Sequence, residues 1–159
     1  MHLPDKGFYL LIISVRKDIR LRIGSLGEME FKKGRYAYAG SAQRALPARL
    51  CRHLKSSKKL FWHIDYLLKD ENVSLTKVFV FPASAKVDEH KIIRRLLAFS
   101  CQPVLRFGSS DCKFSCPAHL VRLQLKISLS KTFPQATALN SRQLKNLCSF
   151  RSSFGRKIK

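Results

Sequence analysis

Acidic residues are the scarcest chemistry in this chain. Ten Asp and Glu stand against 31 Lys and Arg, a net charge of +21, and no acid follows Asp111. A surface this lopsided excludes binding to basic partners and draws in polyanions, raising encounter rates with them. Nucleic acid is the expected partner, DNA ahead of RNA, and an anionic membrane surface is a distant second. Long hydrophobic runs are also missing. Phe8–Val15 is apolar but falls well short of the roughly 18–20 residues of a membrane span, and its flank does not resemble a cleavage site. Neither a membrane span nor a signal peptide is expected. Five cysteines, Cys51, Cys101, Cys112, Cys116 and Cys148, give an odd number at irregular spacing. That excludes a disulfide scaffold of the secreted kind and leads us to expect reduced thiols in the cytoplasm. No internal repeat is visible. At 45% apolar residues, wholesale disorder is excluded as well.

What is present reads as one α/β (α+β) domain over residues 1–130, followed by a basic C-terminal extension over 131–159. Phe8–Val15 has the length and branching of a strand buried on both faces. Ile19, Leu21 and Ile23 alternate with Arg20 and Arg22, and Met29–Lys32 forms a second short strand. Lys32-Lys33-Gly34 then turns into Arg35–Ala39, so the first forty residues read as an antiparallel meander. Leu46, Leu50 and Leu54 recur at helical spacing, with Pro47 in the first turn, where its missing N–H costs nothing. Ile64, Leu67 and Leu68 mark a helix within 61–69, and Val78–Phe81 marks a buried strand. Ile92, Ile93, Leu96 and Leu97 form one stripe of a helix over 88–99. Val121–Leu129 alternates like a one-sided strand. The expected fold is a small antiparallel sheet flanked by about three helices, and a short basic helix is expected over 141–150.

Candidate chemistry gathers at one strand-to-helix turn. Tyr36 and Tyr38 share a strand face, as core packing or as part of a site. Arg49 and His53 lie four apart on the next helix, side by side at the border of its apolar stripe. A phenol, a guanidinium and an imidazole together suit an anionic substrate and proton transfer. His63 is two residues before Asp65, close enough for a carboxylate to orient it as a base, although a surface histidine fits the pattern too. Lys58 and Lys59, with Arg35 and Arg52, are the expected phosphate contacts. Glu89 projects from the first helical turn along the buried face. An acid there complements the helix dipole, but one aimed at the core of a basic protein calls for a cation, either an arginine or a metal. Cys112, Cys116 and His119 could hold zinc, but without a CxxC pair the spacing fits a buried, hydrogen-bonded turn better.

In order along the chain, these residues resemble the GIY-YIG nuclease superfamily. Its two name motifs fall on Gly7-Phe8-Tyr9 and Tyr38-Ala39-Gly40. Its helix arginine falls on Arg49, with histidines on His53 and His63 and the metal-binding glutamate on Glu89. Trp62-His63-Ile64-Asp65-Tyr66 and Phe107-Gly108-Ser109-Ser110-Asp111-Cys112…His119-Leu120 resemble more closely a small domain-of-unknown-function branch of archaea and bacteria. The sequence departs from the superfamily in the segment Ile19–Lys33 between the name motifs, in Ala39, and around Glu89, which matches only by position and helical phase. The resemblance implies a hydrolytic endonuclease using Mg²⁺ or Mn²⁺. Glu89 would hold the metal, and Arg49 would stabilise phosphoryl charge. Tyr9, assisted by His53 or the metal, would orient or deprotonate water. Tyr38 would join that network, and His63 would serve as a proton carrier or phosphate ligand. The alternative is a nucleic-acid-binding module on the same fold that does not cut.

Overall fold

A computed structural model describes residues 2–154, with side chains through residue 150. The strands are β1 (Gly7–Val15), β2 (Ile19–Arg22), β3 (Glu28–Phe31), β4 (Gly34–Ala42), β5 (Val73–Pro82), β6 (Gln102–Pro103), β7 (Leu120–Arg122) and β8 (Thr137–Asn140). The helices are α1 (Leu46–Leu54), α2 (His63–Leu68), α3 (Glu89–Ala98), α4 (Leu129–Thr132) and α5 (Ser141–Phe154). Six strands form an antiparallel sheet in the order β6-β7-β4-β1-β5-β8. Every residue of β1 is paired on both sides, and both of its faces are apolar. Tyr9, Leu11, Ile13 and Val15 join one core with Leu46, Leu50, Ile64, Leu67 and Leu144. Leu10 and Ile12 join a second core with Ile92, Ile93 and Leu96. Alternation along β1 therefore feeds two layers, α1, α2 and α5 on one side and α3 and α4 on the other, as a doubly buried strand requires. No helix among the described residues is long and apolar enough to cross a membrane.

Several expectations need correction. The opening strands do not form a meander, because β1 pairs directly with β4. β2 and β3 instead form their own hairpin sheet and contribute Ile19, Ile23 and Phe31 to the first core. Strand character after Leu120 ends at Arg122. A turn carries Leu125 into solvent at 91% exposure and leads into α4. Leu123 and Leu129 still bury on the α3 side, so the same alternating string is satisfied by a strand end, a turn and a helix.

The boundary expected at residue 130 does not coincide with a gap in packing. β8 pairs with β5 across Lys77–Val80, and Leu144 of α5 is fully buried. Cys51 and Cys148 are joined in a disulfide that ties α1 to α5, leaving Cys101, Cys112 and Cys116 as thiols. The cysteine count therefore no longer argues for a reducing compartment.

Candidate active site

β7 pairs with β4 only along Tyr36–Tyr38, and one further bond runs from the Ala39 N–H to the His119 carbonyl. Where β7 stops, a cavity of about 430 Å³ opens against Ala39, Gly40 and Ser41. Its walls come from separate elements: Tyr9 from β1, Tyr38 from β4, Arg49 and His53 from α1, His63 from α2 and Glu89 from α3. All six residues expected to carry chemistry thus meet in one place. Trp62, Asp111 and His119 also line it. Asp111 is the residue that spacing alone could not single out, since it stands in a polar turn with no periodic pattern around it.

Tyr9 and Gly40 are cross-strand partners, and the phenol lies over the glycine. A β-carbon on Gly40 would sit 2.6 Å from the Tyr9 hydroxyl, closer than atoms can pack, so any larger residue at this strand position would displace the Tyr9 ring. Gly7 serves a related end. A β-carbon there would meet the Phe81 carbonyl of β5 at 2.4 Å, which would push apart the strands that seat Tyr9.

The Tyr9 hydroxyl is 2.9 Å from His53 Nε2. Nδ1 of that ring is buried without a partner, so Tyr9 is the one hydrogen-bond partner of the ring among the described residues. Burial pushes the His53 imidazole down to about 3, aided by the cations Lys58, Arg52 and Arg49, with Asp65 opposing. Burial also pushes the Tyr9 phenol well above its usual range, although Arg49 pulls it back. Tyr38 is raised in the same direction, mainly by burial. Moving a proton from Tyr9 to His53 is therefore far uphill. The pair fixes the Tyr9 hydroxyl in place, which suits orienting water, one of the two roles that the resemblance implies for Tyr9.

Two readings are open for His63, and Asp65 is not its partner. Asp65, fully buried, accepts a forked pair of 2.8 Å bonds from Arg52 and the backbone N–H groups of Phe61 and Trp62. Burial works against its charge, but these donors outweigh it and hold the carboxyl below its usual range. His63 Nδ1 instead accepts the Gly108 N–H at 2.9 Å, so the proton of its neutral ring resides on Nε2. Burial lowers the pKa of His63, favouring that neutral donor form.

Two of the four expected phosphate contacts prove structural. Arg52 is committed to Asp65 and to the Lys59 carbonyl. Lys58, with a side chain only 6% exposed, donates to the Arg52 and His53 carbonyls and so caps the end of α1. Arg35 and Lys59 are exposed. Arg49 and Arg52 both stack on Trp62, at 4.4 and 4.3 Å from the ring. The stack holds the Arg49 guanidinium at the cavity, where it forms no ion pair among the described residues. Glu89 is half-buried in the cavity wall. It likewise forms no ion pair or hydrogen bond among the described residues, because Asp88 takes the helix cap through the Lys91 N–H. With no arginine on it, the Glu89 carboxylate is left for a cation from outside the chain. One carboxylate lining the same cavity as an unpaired arginine could hold a hard cation that keeps several waters.

One consequence can be tested directly. Gly40→Ala should force the Tyr9 ring off His53 and destabilise the fold by about 1–3 kcal/mol, the usual cost of overpacking. Thermal melts of the variant and wild type would check it; an unchanged melting temperature would mean that the Tyr9 ring has room to move.

One protein family, described as Domain of unknown function DUF123, has a model that matches residues 8–141. That span runs from the second residue of β1 to the start of α5 and includes every cavity residue named above. No curated protein and no solved structure matches the chain.

Proposed function

Since the chain belongs to that family, whose description assigns no activity, we propose from the cavity itself that the protein is a metal-dependent endonuclease hydrolysing phosphodiesters in nucleic acid, with DNA favoured over RNA. The observation that carries this reading is the convergence of Tyr9, Tyr38, Arg49, His53, His63 and Glu89 from five elements on one cavity, in a chain of net charge +21. The resemblance to GIY-YIG nucleases rests on the same residues and is part of the proposal.

In the reaction, water attacks phosphorus as the bond to the leaving oxygen breaks, the water's proton passing to solvent through the open cavity and the leaving oxygen taking one from solvent. Arg49, held flat by Trp62, presents a fork of N–H donors to the phosphoryl oxygens as their charge grows. The Tyr9 hydroxyl, fixed by His53, orients the attacking water. Tyr38 packs beside Tyr9 and closes that wall of the cavity to bulk solvent. His63 offers its Nε2–H to a phosphate oxygen or to the departing oxygen. Glu89 would hold Mg²⁺ or Mn²⁺, which would supply Lewis acidity that lowers the pKa of water and stabilises charge on the leaving oxygen.

The deciding experiment incubates the protein with single-stranded, duplex and branched DNA and RNA in Mg²⁺, Mn²⁺ or EDTA. We expect cleavage that requires the metal, and binding that weakens by roughly 10³ between about 50 and 200 mM salt if some six phosphates are contacted. Salt-sensitive binding with no cleavage of any substrate would make the protein a binding module. A flat salt response would remove the electrostatic basis of both readings.

A further inference from the structure

At the edge of the cavity, where His119 lines the wall, the chain gathers a second set of ligating atoms that the cleavage chemistry does not use. One ligand atom from each of Cys112, Cys116 and His119 lies within 4.8 Å of the others. The sequence favoured a hydrogen-bonded turn for this segment, and a turn is present: Ser115 adopts a left-handed conformation at φ 53°, folding the chain back between the cysteines. But the turn does not account for what faces into it. His119 Nε2 is buried with no hydrogen-bond partner. From the first turn of α3, His90 brings its Nδ1 to 3.2 Å from the Cys116 sulfur, its ring stacked on Phe114 at 4.6 Å.

We propose that Cys112, Cys116 and His119 hold a tetrahedral structural Zn²⁺, and that His90, which already reaches the Cys116 sulfur, turns onto the ion as its fourth ligand. Zinc–sulfur and zinc–nitrogen bonds of about 2.3 and 2.0–2.1 Å put tetrahedral ligands about 3.3–3.8 Å apart. The ligand atoms of Cys112, Cys116 and His119, all within 4.8 Å of one another, have to close by about 1 Å onto the ion, and His90, 3.2 Å from the Cys116 sulfur but outside that cluster, has to rotate to join them. A borderline-soft ion is selected because two thiols and two imidazoles suit zinc and do not suit Mg²⁺. The backbone is preorganised around it: His119 N–H bonds the Phe107 carbonyl at 2.7 Å, and the His119 carbonyl accepts from Ala39 at 2.9 Å. Binding displaces the two thiol protons to solvent, so affinity rises with pH.

The ion would cross-link segments that no disulfide joins: the start of α3, the turn at 112–116 and the lead-in to β7. Glu89 adjoins His90 and Asp111 adjoins Cys112, so both cavity carboxylates would be held by their neighbours' coordination. The site depends on none of the cleavage chemistry, and it stands or falls independently of the proposed nuclease.

The test uses untagged, full-length protein purified anaerobically without chelator. Elemental analysis should find one zinc per chain. Replacement by Co²⁺ should give the strong visible bands of a tetrahedral ion together with a near-ultraviolet thiolate-to-cobalt transition. Cys112→Ser and Cys116→Ser should lose the metal and the sulfur transition. His90→Gln should weaken zinc by at least about 10²-fold in chelator competition, the upper scale of removing even an outer-shell partner. Wild-type protein that is metal-free and gives no cobalt spectrum would overturn the site, and it needs no variant to fold. Zinc held equally well by His90→Gln would overturn the four-ligand assignment.

Discussion

Arg49→Ala should lower the cleavage rate by about 10²–10³, roughly 3–4 kcal/mol, the loss typical of one preorganised charge-stabilising donor. Affinity should change far less, because the interaction strengthens as charge develops and is weak in the ground state. Arg49→Lys should recover little. A lysine cannot lie flat on Trp62, where the guanidinium sits at 4.4 Å, and it offers a point charge in place of a planar fork. Arg52 supplies the internal contrast. It stacks on the same ring, but its donors are spent on Asp65, whose side chain is fully buried. Arg52→Ala should therefore destabilise the fold by roughly 3 kcal/mol, at the low end for an orphaned buried charge, because Lys58 and two backbone N–H groups remain. Thermal melts and single-turnover rates measured on both variants separate the two effects. If both arginines cost only stability, or both only rate, the division between them is wrong.

That contrast also shows where the sequence stops informing. Arg49 and Arg52 are three apart on one helix, and nothing in the string distinguishes them. The difference arises because α2 places Asp65 under one and not the other, a tertiary fact. Elements whose own period decides their burial were legible: β1 from its unbroken apolar run, α1 from Leu46, Leu50 and Leu54, and α3 from its Ile and Leu stripe. The β8 strand was not, since only Leu139 of its four residues is buried and an edge strand held by backbone bonds leaves no pattern. The Cys51–Cys148 bridge spans 97 positions, a pairing no local spacing encodes. In the site, residue types and spacing nominated Tyr38, Arg49, His53, His63 and Glu89, while Tyr9 was nominated only through the resemblance. The state of the Tyr9–His53 pair was not readable, because burial decides it and burial comes from the packing of both cores.

The sharpest separation between enzyme and binder comes from Glu89→Gln. This variant keeps the side chain's volume and removes the one cavity carboxylate on a helix, which has no protein cation to answer it among the described residues. Nucleic-acid binding in EDTA should be unchanged or slightly tighter, since a negative charge leaves a surface that attracts polyanions. Metal-stimulated cleavage should fall to background, and Mn²⁺ affinity, read by electron paramagnetic resonance without substrate, should fall in parallel. The Mn²⁺ measurement matters because a lost rate alone would also follow from a displaced Tyr9 or Arg49. Stability should not suffer greatly: Asp88 already caps α3 through the Lys91 N–H at 2.8 Å, so losing the adjacent charge costs only a dipole interaction of about 0.3–1 kcal/mol. If Glu89→Gln cuts at the wild-type rate, the metal is not held there and Asp111, the other cavity carboxylate, becomes the residue to replace. If wild type and variant bind Mn²⁺ equally and neither cuts, Glu89 is an ordinary first-turn acid and the protein binds nucleic acid without hydrolysing it.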